Sequence, residues 1–246
     1  MTYLRNVWIL GKRELASYFL APVAYVFIVI FLVLCGFFTF MIGDFFATNE
    51  ASLQPFFTWH PWLYLFFVPA VGMRLWAEER RSGSLELLFT MPVTTWQAIL
   101  GKFLAAWLFL GLALALTFPV VITVAYLGDP DDGVIFTAYI GSFAVAGAYL
   151  AVSSMTSAMT RSQVVSFITA VVFCLFLILA GWPPVIDMVT WAPAWLVDGV
   201  AAFSVIPHFD ALQKGVIDIR DLVYFASVML FALFTTGVIL RSHRAG

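Results

Sequence analysis

The chain has 246 residues, of which 63% are hydrophobic and 11% charged, with a formal charge of −2. A soluble domain of this length has no core large enough to hide so much apolar surface, so composition excludes that class and predicts an integral membrane protein. Six charge-free runs reach the roughly 20 residues a bilayer-spanning helix needs: 15–43, 51–73, 103–128, 133–160, 162–186 and 222–240. None shows the alternation of apolar and polar residues that marks a barrel strand, so the expected fold is all-α with six transmembrane helices.

Residues 2–20 precede the first span and read as an amphipathic helix on the membrane surface. Leu4, Val7, Trp8, Leu15, Tyr18 and Phe19 share a face at helical spacing, while Arg5, Asn6, Lys12, Arg13 and Ser17 fall elsewhere. The apolar run that follows is too long for a signal-peptide core and carries no small-x-small cleavage site, which predicts a retained anchor. An acidic loop from Asp44 to Thr58 leads to a second helix from about Trp59 to Trp76, which Pro69 is expected to kink. Residues 78–92 form a polar interlude. A third helix is expected from about Ile99 to Tyr126, closed by the turn LGDPDDG at 127–133. The fourth helix carries Gly141, Ala144, Gly147, Ala148, Ala151 and Ser154 at three- and four-residue intervals, a pattern that lets helices approach closely in lipid. After a short turn around Arg161 and a fifth helix, residues 182–207 gather Trp182, Pro183, Pro184, Trp191, Pro193, Trp195 and Pro207. Proline breaks helices and tryptophan favours the headgroup level, so short outer interfacial helices are expected there, then a loop to residue 220 and the last span.

Charge orients this arrangement. With the N-terminus cytosolic and six spans, one face receives ten of the twelve Lys and Arg residues and four of the fourteen acids, a balance of +6. The other face receives Lys214, Arg220 and ten acids, a balance of −8. The positive-inside rule then places both termini in the cytosol.

Catalytic patterns are absent. There is no G-x-x-x-x-G-K phosphate loop, no H-E-x-x-H, no Cys/His cluster at metal spacing and no G-x-S-x-G turn. Cys35 and Cys174 lie inside predicted spans and read as small hydrophobes, and Ser153 and Ser154 read as helix-packing hydrogen bonders. The span interiors hold no Asp, Glu or Lys for an ion relay, which weighs against an ion-coupled secondary carrier or channel without removing it, because backbone carbonyls at a broken helix can bind sodium. A membrane scaffold and an intramembrane enzyme also stay open.

The remaining polar segment is EERRSGSLELLFTMP, residues 78–92. Glu78, Glu79, Arg80 and Arg81 precede Gly83 and Ser84, where chain direction can change. Glu86 and Leu87 follow, and Pro92 ends the element. On composition alone this is equally a solvated loop with ordinary flanking charges.

The stretch MRLWAEERRSGSLELLFTMPVTTWQAILGKFLAAW (73–107) resembles the signature of type-2 ABC exporter permeases. FSVIPHFDALQKGVIDIRDLVYFAS (203–227) is similar to the region before the last span in the gliding-motility branch, allied to nitrous-oxide-reductase accessory permeases. The resemblance implies a single permease domain over 1–246 in a bacterial cytoplasmic (inner) membrane, working as a dimer with a second copy or a related permease. It implies two separate cytosolic ATPase subunits that bind ATP and Mg, with no cofactor in this chain, and leaves room for a periplasmic accessory subunit. It assigns residues 78–89 to a coupling helix docked on the ATPase, with Glu78, Glu79, Arg80, Arg81 and Glu86 as polar contacts and Gly83 as the bend. Ser84, Leu87 and Pro92 complete the interface. The substrate stays open; the lipid-like walls of the spans favour hydrophobic compounds over ions, and nothing points to nucleic acid.

Overall fold

The computed structural model describes residues 2–43, 45, 52–85, 93–188 and 194–242, and every regular element among them is helical. In hydrocarbon no water is at hand for backbone N–H and C=O groups, so a chain this apolar closes its hydrogen bonds within helices. Helix α1 (Thr2–Leu20) gives way at Ala21 to α2 (Pro22–Phe37), where Pro22 stands at the helix start and its missing N–H leaves no bond unmade. A π-helical turn, Phe38–Ile42, prolongs α2, and inside it Thr39 Oγ1 donates to Cys35 O at 2.6 Å.

Next come α3 (Gln54–Thr58), α4 (His60–Gly72) and α5 (Arg74–Ser82). The helix expected from Trp59 to Trp76 is therefore interrupted at Met73, one turn beyond Pro69. The chain does not break at the proline itself, since Met73 N–H still donates to Pro69 O at 2.8 Å. The third rod is α6 (Thr95–Ala115) and α7 (Phe118–Leu127), parted at Leu116 and Thr117 just before Pro119. It starts four residues before the expected Ile99 because Thr94 and Gln97 form a reciprocal capping box. Helix α8 (Asp132–Met159) is capped by Asp131, whose carboxylate accepts from the N–H groups of Gly133 and Val134. Then follow α9 (Gln163–Leu179), α10 (Pro183–Met188), α11 (Ala194–Ala201), α12 (Val205–Gln213) and α13 (Ile219–Ser242).

Among the described residues four rods are long and apolar enough to cross a membrane: Pro22–Ile42, Thr95–Leu127, Asp132–Met159 and Ile219–Ser242. The other two expected spans are shorter, 13 residues in α4 and 17 in α9.

Helix α8 is the hub. Its most apolar stretch is 67% buried, against 22–33% for the other three long rods, and it packs on α4, α5, α6, α9, α12 and α13. Its small residues make this possible. A Cβ on Gly147 would lie 2.8 Å from Trp107 Nε1 and 2.9 Å from Met229 Sδ, so only glycine lets α6 and α13 come this near. Helices in lipid gain little hydrophobic energy from one another, and such close packing is what holds them. Helix α12 also reaches α8. Val205, Phe209 and Leu212 recur at i, i+4 and i+7, and Phe209 and Leu212 seat on Gly141, which turns this stretch inward from the expected outer surface.

Helix α1 lies across the start of α6. Gly11 and Gly101 face each other, and a Cβ on Gly101 would stand 3.0 Å from Leu10 Cβ and 3.2 Å from Val7 O. This crossing rotates α1 away from the expected face. Val7 is buried and Leu15, Tyr18 and Phe19 pack against the core, but Leu4 (76%) and Trp8 (67%) stay exposed.

Candidate coupling site

Helix α5 leaves the apolar rods and carries the acidic and basic pairs singled out from the sequence. Its attachment begins at the break after α4. Ser157 of α8 donates from Oγ to Met73 O at 2.8 Å and accepts from the N–H groups of Trp76 and Ala77, each at 3.0 Å. One hydroxyl thus satisfies three backbone groups that the interrupted helix leaves open. The Trp76 indole adds a bond to Ser154 Oγ at 3.0 Å, one turn earlier on α8. Further along, the Arg80 guanidinium donates to Ala158 O, near the C-terminal end of α8, where unpaired carbonyls and the helix dipole both favour a cation. Burial, and then the charge of Arg161, lowers the Arg80 pKa from its ordinary value.

The opposite side of α5 is held by charge. Lys102 Nζ lies 2.9 Å from Glu79 Oε1 and 3.6 Å from Glu14 Oε1, and Arg13 flanks Glu14 at 3.5 Å. The lysine side chain is only 8% exposed, and its ammonium stands 5.4 Å from the centre of the Trp76 ring. A single buried cation therefore ties α1, α5 and α6 together, and removing one partner from a half-desolvated cluster of this kind costs more than removing one from a surface salt bridge. Nearby, Tyr18 stacks on Phe109 at 5.1 Å; burial, with the Glu14 carboxylate adding to it, raises its phenol well above the ordinary value.

Gly83 ends α5 with φ +73°, the left-handed conformation that caps many helices and that L residues resist. Ser82 Oγ bonds Ser84 Oγ at 2.9 Å across this turn and also reaches the Glu78 carbonyl at 3.0 Å.

The sequence-predicted residues divide accordingly. Glu78, Arg81 and Gly83 are exposed on α5 and its cap. Glu79 turns inward to Lys102, and Arg80 turns to the end of α8. Ser84 lies beside Ser82, while Glu86, Leu87 and Pro92 lie outside the described residues. Sequence reasoning missed Glu14, Lys102 and Ser157. The signals for two of them were present, namely a lysine inside the first turns of a helix that begins at Thr94, and an acid on the face of α1 that also carries Val7, Gly11 and Tyr18.

No curated protein matches the chain. The family model described as ABC-2 family transporter protein matches residues 63–194, more than half of the chain, and takes in α4, α5, the segment after Gly83 and α6 to α10. The match begins inside α4 and covers the anchored α5, so the chain is the membrane component of an ABC transporter and belongs to the ABC-2 family.

Proposed function

We propose that this chain is the permease subunit of an ATP-driven exporter or force-transmitting complex, with α5 and the residues after Gly83 forming the docking foot for separate cytosolic ATPase subunits. The observation that carries the reading is the three-sided attachment of α5: to Ser157 and Ser154 on α8, to Ala158 at the end of α8, and to Lys102 on α6. A foot fixed in this way cannot tilt without moving α6 and α8. Binding energy gained at its exposed residues is then passed to the rods.

In this reading six spans cross the membrane: α2, α4, the α6–α7 rod, α8, α9 and α13. Helix α9 is 17 residues and about 26 Å long at 1.5 Å per residue, and the apolar chain continues past it toward Trp182. Both termini are cytosolic, the membrane is a bacterial inner membrane, and α1 rests on its surface with Leu4, Trp8 and Ile9 in the headgroup zone. The complex pairs this permease with a second copy or a relative, and the branch is the gliding-motility and nitrous-oxide-accessory one. A periplasmic accessory subunit is compatible with the short outer segments. Arg81 is the polar contact offered outward, joined by Glu86, while Glu78 faces the cavity beside α1 and Glu79 and Arg80 fix the angle of the foot.

Co-purification with an adjacently encoded ATPase tests the proposal. The chain alone should hydrolyse no ATP, and the complex should. Gly83→Pro, which cannot hold a φ of +73°, should leave complex assembly intact and sever hydrolysis from transport. Hydrolysis by the purified chain alone, or full coupling in the proline variant, would overturn the reading.

A further inference from the structure

Beside the Lys102 triad lies a polar cavity of about 450 Å³, walled by Glu14, Arg74, Glu78, Glu79 and Lys102 and floored by Tyr18 and Ala21. A second cavity of about 140 Å³ runs on from it between α2, α4 and α6, with walls of Val23, Ala24, Phe27, Ala70, Val71 and Phe109. Tyr18, Ala21 and Arg74 line both, so the two are one site with a charged mouth and an apolar tail. The joint falls at Ala21, where α1 ends and the first rod long enough to cross a membrane begins; with α1 on the membrane surface as proposed, that is the level at which lipid headgroups meet acyl chains.

Charges in the mouth are unevenly spent. Lys102 is taken up by Glu79 and Glu14. Arg74 and Glu78 make no ion pair and no side-chain hydrogen bond among the described residues. Glu79 Oε2 is buried and without a hydrogen-bond partner. One guanidinium and two carboxylate faces are therefore left over. A guanidinium takes a phosphate with paired N–H donors, and a primary ammonium brings three donors for carboxylate oxygens.

We infer that this bipartite cavity binds one phospholipid with a zwitterionic, primary-amine headgroup of the phosphoethanolamine type: phosphate on Arg74, ammonium between Glu78 and Glu79, and the start of one acyl chain in the apolar tail. A cavity near 150 Å³ accommodates benzene, so the tail holds about the first five or six chain carbons. A choline headgroup has no N–H for the carboxylates. A glycerol headgroup would place the same phosphate on Arg74 but brings only neutral hydroxyls, and no ammonium, to Glu78 and Glu79.

The inference rests on the membrane placement of the chain and not on its coupling role. The test therefore uses the purified chain without ATPase, and its failure leaves the permease reading standing. Delipidated protein is offered equimolar phosphatidylethanolamine, phosphatidylcholine and phosphatidylglycerol, and retained lipid is counted by native mass spectrometry. One phosphatidylethanolamine per chain is expected, preferred by about tenfold, the worth of one charge-assisted hydrogen bond. Glu78→Gln should erase that preference, while Arg74→Gln, which removes the phosphate contact common to the three lipids, should lower retention of each; both positions are exposed, and an unchanged melting temperature shows that the fold survives. Val71→Trp, which fills the tail, should reduce retention of the whole lipid. Equal retention of the three lipids, undiminished preference in the Glu78 variant, or undiminished retention in the Arg74 variant would overturn the inference. Displacement of bound lipid by soluble glycerophosphoethanolamine at equal concentration would also overturn it, because the apolar tail would then contribute nothing.

Discussion

Lys102 sits where three helices meet, and among the described residues its ammonium is the one positive charge within ion-pair distance of both Glu14 and Glu79. Removing it leaves two carboxylates facing one another, each about one-fifth exposed, which is the costly way to break such a cluster. Lys102→Met should therefore destabilise the chain by about 3 kcal/mol, seen as a lower melting temperature in detergent. Adding Glu79→Gln should restore part of the loss. Equal melting of the single variant and the parent would show that the triad contributes nothing. The residue was hard to read in the sequence for a physical reason. A lysine flanking a span is ordinarily a headgroup anchor, and only the early start of α6 at Thr95 moves Lys102 two turns inside the helix, opposite Trp76.

The pair α4 and α5 shows how an element can be legible while its joint is not. Pro69 announced an irregular second rod, yet the interruption lies at Met73, because Ser157 offers its hydroxyl to backbone groups there. That partner lies more than eighty residues away and has no signature beyond a small-residue face on α8. Ser157→Ala should leave three backbone groups poorly satisfied and cost about 1–3 kcal/mol, with faster amide exchange at Trp76 and Ala77. Unchanged exchange at those two amides would contradict the role given to the serine. By contrast, the capping box at Thr94 and Gln97 was fully written in the local sequence, T-x-x-Q, and extends α6 by the four residues that place Lys102.

At the scale of the molecule, hydropathy gave the all-helical class, and the small-residue periodicity of the fourth rod pointed to its central packing. The family match over 63–194 agrees with the resemblance carried by residues 73–107. What composition could not give is which short helices dive inward. Residues 205–213 straddle the expected outer interfacial helices and the loop after them, yet Phe209 and Leu212 bury against Gly141, a contact between distant segments. The proposed orientation rests on charge and is directly measurable. In sealed inner-membrane vesicles, cysteines placed at Ser17 and Ser242 should react with impermeant maleimide only from the cytosolic side, and one at Asp129 only from the opposite side. The reverse labelling would invert the proposed topology. The central claim, that α5 and its cap seat on a nucleotide-driven partner, is tested most directly by cross-linking through Arg81→Cys in the assembled complex. The account predicts a covalent adduct with the ATPase subunit whose yield changes between ATP-bound and nucleotide-free states; an intact, hydrolysing complex in which residue 81 links to no ATPase in either state would contradict it.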